Sequence, residues 1–94
     1  MIGVYAICQV KQGFEAKFEN LVKQFISESR THVGCQSYDC GVVSGKERHY
    51  CFIERWTSQV ELDAHLNSLF FQQNAPKLEE MLENGLDINI VNFI

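Results

Sequence analysis

The chain is poor in breakers: Pro76 is its single proline, and glycines number only six in 94 residues. Regular elements are therefore expected to be dense. It is also poor in clustered positive charge. Lys and Arg total 8 against 12 Asp and Glu, a formal net charge of −4, and basic residues never gather beyond neighbouring pairs. Nucleic-acid binding needs a basic stripe, so no nucleic-acid partner is expected, and a strongly anionic substrate is disfavoured. No apolar run approaches the roughly 20 residues that span a bilayer, so no membrane span is expected. The first residues enter a short apolar run without a basic leader or cleavage site, which points to a cytoplasmic protein.

Other absences concern chemistry. The four cysteines, Cys8, Cys35, Cys40 and Cys51, form no C-x-x-C pair, and no His pair stands at zinc-finger spacing. They read as reduced, buried thiols rather than a disulfide framework or a zinc site. Neither glycine-rich nucleotide motif is present, nor H-E-x-x-H, nor G-x-S-x-G. No nucleotide cofactor and no dedicated metal site are expected.

What is there is a hydrophobic fraction of 46% with 21% charge, which fits one folded domain over residues 1–94. Residues 2–10 read as a strand with Ile2, Val4, Ala6, Cys8 and Val10 on one face and Tyr5 and Ile7 on the other. Lys11 to Gly13 form the turn. Residues 14–31 read as a helix, with Phe14, Phe18, Leu21, Val22, Phe25 and Ile26 on one face. Gly34 is placed to close the connection in the left-handed conformation.

Residues 35–43 and 49–56 read as a hairpin across a polar loop at 44–48. Tyr50, Phe52, Glu54 and Trp56 share one face of its second strand. Ser58 and Glu61 have capping-box spacing, so a helix starts there, with Leu62, His65, Leu66 and Leu69 as its inner stripe. Pro76 is expected in the first turn of a further helix ending near Gly85. Residues 86–94 read as the last strand.

The order is β-α-β-β-α-β, the split arrangement of an α+β, ferredoxin-like fold with a four-stranded antiparallel sheet. Right-handed crossovers put all helices on one side of that sheet. The strands are nevertheless apolar at both alternations. Leaving large side chains wet costs on the order of 1.5–3 kcal/mol each, so a face-to-face homodimer, a dimeric α+β barrel, is expected to cover them.

Two residues stand out as candidates for chemistry. His65 lies on an inner helical stripe. It is either a core histidine satisfied by a carbonyl or carboxylate, or a general base in a half-dry pocket. Glu54 sits mid-strand between two aromatics, where a carboxylate needs a partner. That partner is either a basic side chain or His65, whose tautomer Glu54 would then fix. Trp56, Phe52, Tyr38, Phe70 and Phe71 are candidates for an aromatic pocket wall, or for plain core packing. His32 and His49, near element ends, are expected to be solvated.

The segment Glu54-Arg55-Trp56-Thr57-Ser58, followed by Leu62, His65 and Ser68, resembles the E-x-W … L-x-x-H-x-x-S signature of the antibiotic biosynthesis monooxygenase domain family. His32-Val33-Gly34-Cys35 to Tyr38 is similar to that family's E-P-G-C-x-x-Y segment, with the acidic residue and proline replaced. Lys11, Gly13, Glu15 and Phe18 resemble its first helix start. The resemblance implies a homodimer with a pocket in each subunit between sheet and helices. It implies cofactor-free oxidation of a small phenol or quinol by molecular oxygen, with His65 and Glu54 as catalytic pair. Other members isomerise small signalling molecules or degrade haem, and the haem-degrading pattern of a Trp on the second helix is not matched, since His65 stands there. A proton-transferring isomerase on the same pair and a non-catalytic binding module remain alternatives.

Overall fold

The computed structural model describes all 94 residues, Met1–Ile94. Its elements run β1 (Ile2–Gln9), α1 (Glu15–Ser29), β2 (Cys35–Val42), β3 (His49–Trp56), α2 (Gln59–Leu66), α3 (Leu69–Glu79) and β4 (Asp87–Asn92). The strands form one antiparallel sheet in the order β2-β3-β1-β4. This is the ferredoxin-like α+β arrangement. No helix is long and apolar enough to cross a membrane.

The alternation of β1 fixes the two faces. Ile2, Val4, Ala6 and Cys8 are buried, while Tyr5 and Ile7 are exposed. In β3, Tyr50, Phe52, Glu54 and Trp56 are buried and Ile53 is exposed. A period of two on each strand, held in register by Val4↔Glu54 and Ala6↔Phe52, gathers the apolar residues under the helices. The main helix adds Phe18, Val22 and Phe25, spaced four and three apart on one face. Trp56, Phe18 and Phe25 are wholly enclosed and anchor the core.

Two boundaries depart from expectation. Pro76 is not in a first turn: it lies inside α3, which starts at Leu69. The start is set by Ser68, whose Oγ accepts from the Phe71 N–H at 3.2 Å. The proline removes one helical donor, but the helix ends at Glu79, so little ladder remains beyond it. Gly85 is likewise not the helix stop. Residues 80–83 instead dock on the end of β1: the Lys11 N–H donates to Met81 O at 2.8 Å and the Glu83 N–H to Gln9 O at 2.9 Å.

The loop after α1 bears directly on the site. Gly34 has φ +86°, and a Cβ there would run into the Glu61 side chain and lie 2.8 Å from Thr57 Oγ1. Only glycine permits both this backbone and this approach. The Thr57 N–H donates to Gly34 O at 2.9 Å, so the loop is tied to the start of α2. Ser58 Oγ in turn donates to the Glu61 carboxylate, which holds that carboxyl below its ordinary range.

Candidate functional site

A cavity of about 50 Å³ lies between the inner sheet face and the helices. Of its 15 lining residues 13 are hydrophobic, and the other two are Glu54 and His65. Charge created inside is therefore poorly solvated, and these two groups, with the Tyr38 phenol, decide what the cavity can do. Ile88 and Ile90 of the edge strand β4 also line it yet are 52% and 45% exposed, so the cavity opens beside that edge.

Glu54 is carried by the middle of β3, opposite Val4 on one side and Tyr38 on the other. It is buried, and its Oε1 accepts a hydrogen bond from Trp56 Nε1 at 2.9 Å. Residues two apart on a strand share a face, which makes this pairing local. Burial pushes the carboxyl from 4.5 up to about 7, against the partial opposition of the indole donor. Glu54 is thus partly protonated near neutrality. The Tyr38 hydroxyl is pushed up further, by burial first and then by the charge of Glu54.

His65 sits on the inner side of α2, one turn after the buried Leu62. Its ring packs on Trp56 with centroids 4.6 Å apart at 36°, with Tyr38 and Phe71 at 5.8 and 5.3 Å. Burial, and secondly the neighbouring His32, push its pKa from 6.5 down to about 4. His65 is therefore neutral near pH 7. Its Nδ1 lies 2.8 Å from Nδ1 of His32, and His32 Nε2 lies 3.3 Å from Glu28 Oε2. The carboxylate beside Nε2 favours the tautomer in which His32 carries its proton there and accepts at Nδ1, with His65 donating from Nδ1 and its Nε2 bare.

Several expectations change here. The direct Glu54–His65 hydrogen bond is not made: Glu54 is taken by Trp56 and His65 by His32. The two groups meet only as walls of one cavity, with the Trp56 indole touching both. Trp56 is fully buried and positions them without lining the space. Phe70 also lies off the cavity, packed 5.0 Å from Phe25, whereas Tyr38, Phe52 and Phe71 do line it. His32 is not simply solvated: its side chain is 18% exposed and wedged between Glu28 and His65. The i, i+4 spacing of Glu28 and His32 was the available signal, but His32 lies in the loop past the end of α1, so helical periodicity alone did not place it. His49 is half-buried, with Nδ1 2.9 Å from Glu47 O. The four cysteines, all in strands, are unbridged, and burial pushes the Cys8 and Cys40 thiols up to about 11 and about 12.

Comparison with known proteins agrees with this architecture. A family model described as antibiotic biosynthesis monooxygenase matches residues 1–77. A conserved protein from Methanosarcina mazei Go1, known from its crystal structure, is 31% identical; the likeness has a TM-score of 0.96 and covers 99% of this chain and 92% of that one. "Putative monooxygenase YcnE" of Bacillus subtilis (strain 168) is 26% identical over 88 residues, 94% of this chain and 93% of that protein. "Uncharacterized protein sll1783" of Synechocystis sp. (strain ATCC 27184 / PCC 6803 / Kazusa) is 28% identical over 82 residues, 87% of this chain; the match spans 56% of that relative's length.

Proposed function

Because the chain belongs to the antibiotic biosynthesis monooxygenase family, we propose that its cavity oxidises a small electron-rich phenol or quinol with molecular oxygen and without a bound cofactor. The observation that supports this most is the pairing, in one apolar cavity, of a neutral imidazole and a carboxyl pushed up to about 7. In this reading His65 Nε2 takes the phenolic proton. The anion gives one electron to oxygen, and the phenoxyl radical and superoxide combine to a hydroperoxide. Loss of water then leaves a carbonyl. Glu54, in its protonated form, donates to the reduced oxygen.

A pKa of about 4 describes His65 in the empty cavity. An imidazolium roughly 4 Å from the phenolate it creates gains about 4 kcal/mol at an effective dielectric near 20, equivalent to about three pH units. That brings the base into the neutral range only when the substrate is present. The cavity is a third of the roughly 150 Å³ that accommodates benzene elsewhere. A substrate no larger than a single ring is therefore favoured, and even that ring requires lining side chains to move.

The same reading takes the chain as a homodimer. On the outer sheet face Tyr5, Ile7, Ile53, Val91 and Phe93 are 42%, 38%, 58%, 37% and 44% exposed. Completing the burial of each, about half of which is already achieved, is worth on the order of 1 kcal/mol. The unbridged thiols fit a reducing compartment such as the cytoplasm.

The test is oxygen uptake with a panel of hydroquinones and phenols. Turnover by the wild type, lowered at least about a hundredfold in His65→Ala, supports the reading. Wild-type rates in that variant end the proposed mechanism. Phenols that bind without consuming oxygen leave a binding module instead.

A further inference from the structure

His65 faces two spaces. Its ring forms part of the cavity wall and also part of a surface groove between the α1–β2 loop and α2, shared with His32, Glu61 and Ser68. The imidazole stands in the partition between a dry interior and solvent. A line of polar atoms crosses it, from His65 Nδ1 to His32 Nδ1 at 2.8 Å and from His32 Nε2 to Glu28 Oε2 at 3.3 Å. Exposure rises along the line, from 2% for His65 to 18% for the His32 side chain and 45% for that of Glu28.

We infer that His32 and Glu28 are the proton outlet of the cavity, carrying to solvent a proton that His65 takes from a molecule inside. The inference rests on the reading of His65 as the cavity's base. As Nε2 of His65 gains a proton, its Nδ1–H bond breaks and an N–H forms at Nδ1 of His32. The Nε2–H bond of His32 then breaks, and that proton passes to the Glu28 carboxylate and on to water. One proton enters and one leaves, no electron moves, and both rings end neutral. The anion stays in the cavity, and the reverse sequence returns a proton to the product.

The frame around the relay is fixed. The His32 N–H donates to Ser29 O at 3.0 Å, and the Cys35 N–H to His32 O at 3.2 Å. The titratable groups that face the two rings are Glu28 from α1, Tyr38 from β2, Glu54 from β3 and Glu61 from α2; α3 contributes the uncharged Phe71. Of these only Glu28 is in ion-pair reach of His32.

The first measurement needs no turnover. Ring ¹⁵N–¹H spectra of the full chain should show His65 protonated at Nδ1 and bare at Nε2, with His32 the reverse. In His32→Asn the amide oxygen still accepts from His65 but cannot pass a proton. Exchange of the His65 Nδ1 proton with water should slow at least about tenfold, as should kcat with a phenol at unchanged KM, and added imidazole should restore part of both. Glu28→Gln, at an exposed position, should slow exchange in the same direction and keeps the test decisive if His32→Asn does not fold. A bare Nδ1 on His65 in the wild type, or exchange unaltered in the variants, overturns the outlet. Slowed exchange in a protein that consumes no phenol supports the outlet and refutes the oxygenase. Unaltered phenol turnover in both variants refutes the outlet alone.

Discussion

Glu54 and His65 pull the stability of this fold in opposite directions with pH, and replacing one exposes the other. Glu54 is raised from 4.5 to about 7 in the folded chain. Between those values the unfolded chain has released this proton and the folded chain keeps it, so stability falls as pH rises. His65 is lowered from 6.5 to about 4. Between those values the unfolded chain binds a proton that the folded chain refuses, so stability rises with pH. Each group contributes a slope of about 1.36 kcal/mol per pH unit, and the two nearly cancel between roughly pH 4.5 and 6.5.

Glu54→Gln removes one slope while its amide oxygen can still accept from Trp56. Its stability relative to the wild type should be unchanged by pH below about 4.5, then climb by about 3 kcal/mol up to pH 7 and level off. For a domain of this size that is a rise in Tm of more than about 10 °C. Urea unfolding at fixed protein concentration, from pH 4 to 8.5, reads the difference curve, from which all other titrating groups drop out. A stability difference between Glu54→Gln and wild type that does not vary with pH would mean that Glu54 is an ordinary carboxylate in the fold, and the description of the cavity as poorly solvated would fail.

Three further outcomes follow from particular contacts. Gly34→Ala should cost more than the roughly 1–2 kcal/mol of a left-handed backbone, because the added methyl also meets Glu61 and Thr57 Oγ1; the urea midpoint reads this. Ser68→Ala should lose about 1 kcal/mol, since the Phe71 N–H loses its only side-chain acceptor at the start of α3; thermal unfolding measures it. Ile53→Asp puts a charge on the outer sheet face without touching the core, so it should halve the mass found by sedimentation if two copies share that face, and a wild type that sediments as a monomer removes the proposed barrel.

The strands, the first helix and most inward positions were legible in the chain because they rest on short-range periodicity; Leu69, expected on the inner stripe with His65, instead starts α3 and is 72% exposed. Alternation by two in Tyr50 to Trp56 and recurrence by three and four in Phe18 to Phe25 set which side chains go inward, whatever lies opposite. The inward aim of His65 followed from the same rule, while Gly34 at a left-handed turn followed from glycine's freedom at positive φ. Pro76 and Gly85 misled because each is compatible with more than one position. Serine capping at 68 and docking of residues 80–83 on the end of β1 settled their places.

By itself, the sequence determined the order of elements, the split β-α-β topology and the presence of one imidazole and one carboxyl on inward faces. Only the tertiary structure decided the partner of His65, whereas that of Glu54 is local to its strand. A hydrogen bond depends on a few ångströms between side chains from distant elements, and no local period encodes that distance. Trp56 reaches Glu54 because they share a strand face, while a tied loop more than thirty residues away brings His32 to His65.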